Sequence, residues 1–457
     1  MKDMTSGSPA KLLFFFTVPL LIGNIFHQLY VISDTWIVGQ KLGKEALAAI
    51  GGSSSTLLFL IFGFISGVIG GLTALSAQFF GAKNYRRVRQ SIGTSIIITA
   101  VLGVIITGLT VGFLDHVLHL LNTPEDSFQH AKDYLLVLFG GTFISFFFLY
   151  VQMILRALGD SRIPLFFIIF FNLLNIGLNA FFVFILKRGI GGVAEATIIS
   201  QTVSTILCAI YAVKRYKLLR LKWYDWRFDW QFYVKHLKMG LPLGFQCTVT
   251  SLGMCVVQYY VNEFGTDAVA GASASGPLSS IAISALFSVG VAAMTYTAQN
   301  YGARDLDRIL HGVRIINIAA IIFSAVVGST MAIFAPQLIE LFVAESTSKA
   351  VIDYGALSFR ITAPLFPILA VLLVFRNVLQ GLGEANTSFM SGITEMILRS
   401  VSVPFLAAWF GYGGTVACTP LAWLGAAILL WWSYIRKIRQ FRREGIPAVS
   451  PKIISKN

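Results

Sequence analysis

The sequence predicts an all-α polytopic membrane protein with twelve transmembrane helices in two pseudo-symmetric six-helix bundles. Three observations carry this: the composition, a series of long apolar runs, and a set of motifs that occurs twice. Of 457 residues, 56% are hydrophobic and 12% charged, and the mean hydropathy is +0.75. A soluble domain of this size has no interior large enough for so much apolar surface, so lipid must be the solvent for most of it. In lipid every backbone N–H and C=O has to be satisfied within its own segment. The alternation of a β-barrel is absent, which leaves helices.

Twelve runs meet the length requirement: residues 12–38, 48–80, 91–113, 134–157, 163–186, 190–213, 238–262, 268–300, 310–335, 354–380, 387–410 and 413–435. Each is long enough to cross about 30 Å of hydrocarbon at about 1.5 Å per residue. The second and eighth exceed the need and are expected to tilt, bend or project beyond the membrane.

The motifs pair at a nearly constant offset. QFFGAKNYRRVRQ after the second run matches QNYGARDLDRILHG after the eighth, with Gln78 and Gln299 placed 221 residues apart. Pro19-Leu20 matches Pro242-Leu243 at 223, GKEALAA from Gly43 matches GTDAVAG from Gly265 at 222, LRALGD from Leu155 matches LQGLGE from Leu379 at 224, and GIGG from Gly189 matches GYGG from Gly411 at 222. This is internal duplication. Each half has an even number of runs, so the two are expected to be parallel repeats about an axis along the membrane normal, the arrangement of transporters that rock two bundles about a central cavity. The predicted organisation is a first bundle at 1–213, a basic linker at 214–237, a second bundle at 238–435 and a basic tail at 436–457.

Charge sets the expected orientation. Counting helix ends, 27 of the 35 Lys and Arg fall at the N-terminus, in the even-to-odd loops and in the tail. Positive charge favours the cytoplasmic side, which places both termini inside and the chain in the inner (plasma) membrane. The linker, with Trp223, Trp226 and Trp230 among its basic residues, is expected to lie on lipid headgroups, and its charge reports topology rather than a nucleic-acid partner. MKDMTSGSPAK runs into a helix too long for a signal h-region and shows no cleavage pattern, so no processing is expected. Cys208, Cys247, Cys255 and Cys418 lack metal-ligand spacing and read as small buried hydrophobes. No HExxH, GxSxG or His/Cys constellation suggests an enzyme.

The chemistry is expected at intramembrane polar residues. Asp34, in the first run, is an ionisable group that costs at least ~2.5–3.5 kcal/mol to insert, and such a group is a functional candidate by default. Asn172, Asn175 and Asn179 in FFNLLNIGLNAFFVF stack on one helical face, and Thr197 adds a hydroxyl in the next run. Amides, a hydroxyl and a carboxylate are the hard oxygen donors a hard cation takes, while a polar seam between helices has the same appearance. Glu395 and Arg399, spaced i and i+4 in the favourable order, are expected to form a structural ion pair. Arg376 is read as snorkelling from a cytoplasmic helix end. His27 is read as hydrogen-bonded to a neighbouring helix. Gln28, Tyr30, Asn172, Gln246, Gln258 and Met294 are candidates for an adaptable substrate cavity, each equally readable as ordinary packing.

The duplicated halves, YVISDTWIVG in the first run, GAKN after the second, NIGLNAFFVF in the fifth and GAR after the eighth together resemble the multidrug and toxic compound extrusion (MATE) family, over essentially the whole chain. The resemblance implies a cation-coupled antiporter exporting small organic, often cationic and aromatic compounds by alternating access, without a cofactor, driven by Na⁺ or H⁺. It places the cation site on Asp34, Asn175, Asn179 and Thr197, and the helix bend on Pro19. Several relatives carry an aspartate where this chain has Asn179, so one central carboxylate remains, which suits a monovalent cation. Membrane acids that some relatives carry in the seventh and tenth runs are missing, and no second cation site follows from the family. A monomer is expected. The alternative class is a flippase for a lipid-linked saccharide, which would want cavity cations for a pyrophosphate; a passive channel is not separated by sequence.

Overall fold

Because lipid leaves the backbone no other partners, the apolar runs fold as helices throughout. A computed structural model describes residues 2–41, 50, 53–120, 123, 125–341 and 348–449. The first copy of the GKEALAA motif, the start of the second run and the last eight residues of the tail lie outside them.

The helices of the first half are α1 (Pro9–Lys41), α2 (Ser53–Gly81), α3 (Tyr85–Gly112), α4 (Leu114–Leu120), α5 (Glu125–Gly140), α6 (Thr142–Ala157), α7 (Arg162–Ala180, continued as a π turn over Phe181–Ile185) and α8 (Gly189–Arg215). Those of the second are α9 (Trp230–Asn262), α10 (Thr266–Ala303), α11 (Leu306–Ile333), α12 (Ala335–Glu340), α13 (Lys349–Thr362), α14 (Phe366–Gly381) and α15 (Ala385–Glu444). Among the described residues ten helical stretches are long and apolar enough to cross a membrane, and α5 with α6, bent by 52°, makes an eleventh. The 60 residues of α15 hold two predicted runs, divided at Gly411, whose φ of +59° and ψ of −141° interrupt the helix. Twelve crossings result.

The chain divides into two compact units. One holds Val18–Phe80 and Asn84–Leu241, the other Asp3–Thr17, Gly81–Lys83 and Pro242–Asn457. The divisions inside α1 and α9 fall beside Pro19 and Pro242, the prolines inside those helices. A proline cannot donate to the carbonyl four residues earlier, so each helix is weakest there.

The duplication is written into the backbone of each half of the sequence. Lys83 and Arg304 both adopt positive φ, at 55° and 59°; so do Gly159 and Gly383, at 81° and 89°, and Gly189 and Gly411, at 62° and 59°. Each pair stands at the offset of its motif. The caps repeat as well: Asn84 accepts from the Arg87 N–H at 3.1 Å and Asp305 from the Arg308 N–H at 2.9 Å, satisfying orphan donors at the starts of α3 and α11.

Three expectations need correction. The fourth run is broken at Gly141 and its helical part begins earlier, at Glu125. A Cβ on Gly141 would lie 2.2 Å from the Ile198 side chain, so α6 and α8 pack closely there and any larger residue would have to displace Ile198. The last eight linker residues belong to α9, which begins at Trp230 where Asp229 accepts the Phe232 N–H. His236 is therefore a helical, buried residue, bonded to Ser91 at 2.8 Å and to the Phe232 carbonyl at 2.8 Å. Cys255 is exposed rather than buried.

Candidate cation site

Three helices of the first unit converge on Asp34. The acid lies on α1 one turn after Tyr30, with 8% of its surface exposed. From α7, the Asn179 amide nitrogen donates to Asp34 Oδ1 and also to Asn175 Oδ1, the latter at 2.8 Å. Asn175 and Asn179 share a face of α7 because they are four residues apart, and both are fully buried. The Asn175 amide donates in turn to Thr197 Oγ1 on α8 at 3.1 Å. Turned by half a rotation, the same amide reaches Asp34 Oδ1 at 3.3 Å with its nitrogen and the Thr197 N–H at 3.2 Å with its oxygen. Either orientation ties α1, α7 and α8 into one polar knot.

Local backbone features set these positions. The π turn that follows Asn179 closes with the Leu186 N–H donating to the Phe181 carbonyl at 3.1 Å. Wide turns of this kind recur beside functional sites. Gly189, at positive φ, then reverses the chain into α8, which carries Thr197 back alongside Asn175. Thr197 also donates to the Val193 carbonyl at 3.1 Å, and Val193 belongs to an apolar cluster with Ile37, Val38, Tyr134, Leu135, Leu138 and Val183. The polar knot is thus bounded by close-packed hydrocarbon.

Tyr30, read from the sequence as a cavity residue, also reaches this knot, its hydroxyl 3.4 Å from Thr197 Oγ1. Its i, i+4 spacing from Asp34 was the available signal. Asn179 Oδ1 is buried with no hydrogen-bond partner among the described residues. Together with the Asp34 carboxylate, Asn175 Oδ1, Thr197 Oγ1 and the Tyr30 hydroxyl, it gives a hard monovalent cation the oxygen donors it takes. Among the described residues no group of three or more His, Cys, Asp or Glu forms a transition-metal centre.

The other candidates are dispersed. Gln28 is half-buried in the first unit, where His27 stacks on the Tyr30 ring at 5.6 Å between centroids. Asn172 is buried. In the second unit Gln246 is buried and donates to Thr250 at 3.4 Å, while Gln258 is exposed and donates to Asn262 on its own helix at 2.9 Å. Met294 is buried in α10, its carbonyl against Gly381 of α14.

The charges of the second unit form a triad rather than a pair. Glu395 accepts from Arg399 at 3.1 Å and from Arg376, and all three side chains are buried. Arg376 therefore does not snorkel. It points inward from α14 and also donates to Ser391 Oγ at 3.2 Å, because a buried guanidinium needs a carboxylate and further acceptors to offset its desolvation.

A duplicated, twelve-crossing helical protein with a buried carboxylate set among amides and hydroxyls defines a membrane transporter, not an enzyme. The MatE family profile matches residues 19–181 and again 242–405, and the chain belongs to that family. It is similar to the probable multidrug resistance protein YpnP of Bacillus subtilis, with 28% identity over 90% of this chain and 92% of that protein. It is also similar to an FAD transporter of Shewanella oneidensis, with 22% identity over 92% and 94%. Among solved structures, a MATE protein in complex with MaL6 superposes with a TM-score of 0.90 at 22% identity, covering 96% of this chain and 99% of that one. An outward-facing multidrug resistance MATE family transporter of the MOP superfamily gives 0.89 at 23%, over 97% and 99%.

Proposed function

We propose that the chain is a cation-coupled multidrug efflux antiporter, exporting organic, often cationic and aromatic compounds by alternating access. The carrying observation is the Asp34 knot: an intramembrane acid that insertion disfavours, held by Asn179, which is tied through Asn175 to Thr197, with one amide oxygen left over beside it. YpnP, called a probable multidrug resistance protein, and the multidrug export protein MepA of Staphylococcus haemolyticus, 22% identical over 89% of each chain, support a multidrug substrate class.

The knot works as an exchange point. With no second carboxylate beside it, Asp34 accepts either a cation ringed by oxygens or a proton, and Na⁺ and H⁺ compete for the one position, with Na⁺ favoured as the driving ion. Filling it draws α1, α7 and α8 together; releasing it loosens α1, whose Pro19 supplies the bending point. Gln28 and Tyr30 of α1 are the residues of the first unit that we assign to the substrate. The loop charges orient both termini to the cytoplasm of the inner membrane, and the basic linker, pinned by buried Asp225 to Arg89 at 3.2 Å, keeps Trp223 and Trp230 exposed for the headgroup layer. The flippase reading finds no support, since Arg376 and Arg399 are spent on Glu395. The transporter acts as a monomer.

The test is efflux of an organic cation from proteoliposomes under imposed gradients. An inward Na⁺ gradient should accelerate efflux; equal rates with and without any Na⁺ or pH gradient would overturn the coupling.

A further inference from the structure

The α7–α8 pair carries polar groups that the Asp34 knot does not use. Two contacts fix the register of these antiparallel helices: Asn175 with Thr197 at 3.1 Å, and Ser204 Oγ donating to the Phe167 carbonyl at 3.0 Å. Three residues back along α7 from Asn175, and three forward along α8 from Thr197, stand Asn172 and Ser200. Both lie on the stretch of the helix pair between those two contacts. Both are buried, at 3% and 0% exposure. Asn172 Oδ1, Asn172 Nδ2 and Ser200 Oγ have no hydrogen-bond partner among the described residues. The neighbouring Gln201 is already engaged, accepting from Ser145 at 2.7 Å. Buried polar groups in native proteins are satisfied by something, so this pair is built for a guest.

We propose that Asn172 and Ser200 form a second, weak stop for the coupling cation, through which the ion passes between the Asp34 site and the basic side of the membrane. The inference rests on the cation-coupled reading above. Asn172 Oδ1 and Ser200 Oγ supply two oxygens to a partly hydrated monovalent cation, and Asn172 Nδ2 donates to a water of its shell. The stop contains no carboxylate. Neutral donors hold an ion loosely, as a conduction path requires: binding must be good enough to enter and weak enough to leave. Its direction is given by the helices. Asn172 lies on the Arg162 side of Asn175 and Ser200 on the Arg215 side of Thr197, so the stop is displaced toward the basic loops.

The experiment measures ²²Na⁺ binding and exchange by the full-length protein. The double variant Asn172→Ala/Ser200→Ala should keep the equilibrium Na⁺ affinity within about twofold while Na⁺ exchange across proteoliposomes slows by about tenfold. Asn172→Asp should convert the stop into a storage site, binding about two ions per protein instead of about one. If Asn172→Asp does not fold, Ser200→Asp makes the same test from the facing helix. Wild-type exchange in the double variant, with no added ion in either aspartate variant, would show a site for structural water only and overturn the proposal. Asp34→Asn is run alongside: if it still binds its ion, the Asp34 reading fails, whatever the Asn172 variants do.

Discussion

Glu395 is the counter-charge of two guanidiniums, and replacing it with glutamine tests how the second unit is held together. Arg399 lies 3.1 Å from one carboxylate oxygen and Arg376 contacts the other, with all three groups buried. Glu395→Gln keeps the size and one acceptor but leaves two buried cations facing each other. At about 4 Å and an effective dielectric near 20, each lost attraction is roughly 4 kcal/mol before desolvation is counted. Breaking a buried pair costs a net ~3–5 kcal/mol in practice. For a unit of this size that corresponds to a drop in Tm of roughly 10 °C. Arg399→Met leaves a neutral Arg376–Glu395 pair and should cost less than half as much. Adding Arg399→Met to Glu395→Gln should restore part of the loss, because the double variant buries one uncompensated cation instead of two. Thermal unfolding of the purified protein in detergent reads all three. A Tm for Glu395→Gln within about 2 °C of wild type, or no recovery in the double variant, would refute the triad as the clamp of this unit.

Other outcomes follow from the same structure. Asn175→Ala and Thr197→Ala each remove a polar partner at the knot, worth ~1–2 kcal/mol, so the Na⁺ concentration for half-maximal efflux should rise about 5- to 30-fold with little change in pH dependence. Gly141→Ala pushes a methyl into Ile198 and should destabilise by ~1–3 kcal/mol, with Ile198→Ala relieving it; additive losses in the double variant would contradict the close packing seen. Outside the membrane, burial and then the Asp160 carboxylate it donates to hold the Tyr216 phenol above its ordinary value of 10.0. A raised folded-state value stabilises below the unfolded one and is lost as pH climbs past about 10, so wild-type Tm should fall faster there than that of Tyr216→Phe.

The number of crossings was legible because lipid allows so few solutions to an apolar run, and the duplication because its motifs sit on loops that demand special backbone. Lys83 with Arg304, and Gly159 with Gly383, are positions where the same positive φ recurs. What the sequence could not show is which helix a side chain meets. Periodicity put Asn175 and Asn179 on one face, yet gave no means of bringing Tyr30 to Thr197. Arg376 lies near a helix end by sequence position and was read as solvated; only the packing of α14 against α15 turns it onto Glu395. Gly141 was invisible as a break because glycine is common in membrane helices, and its effect comes from Ile198 on another helix. Ser200 carries no signal of its own in the sequence, since a lone serine in a span gains meaning only from its burial between helices.

The central claim is that Asp34 couples the cation to export, and the most direct measurement compares wild type with Asp34→Asn in proteoliposomes carrying an organic cation. Removing an intramembrane charge should ease insertion, so the variant should fold, elute as a single species and still bind the drug. Efflux by wild type should accelerate under an inward Na⁺ gradient, whereas efflux by Asp34→Asn should stay at the protein-free rate under every gradient. Gradient-driven efflux by Asp34→Asn at the wild-type rate would contradict the account.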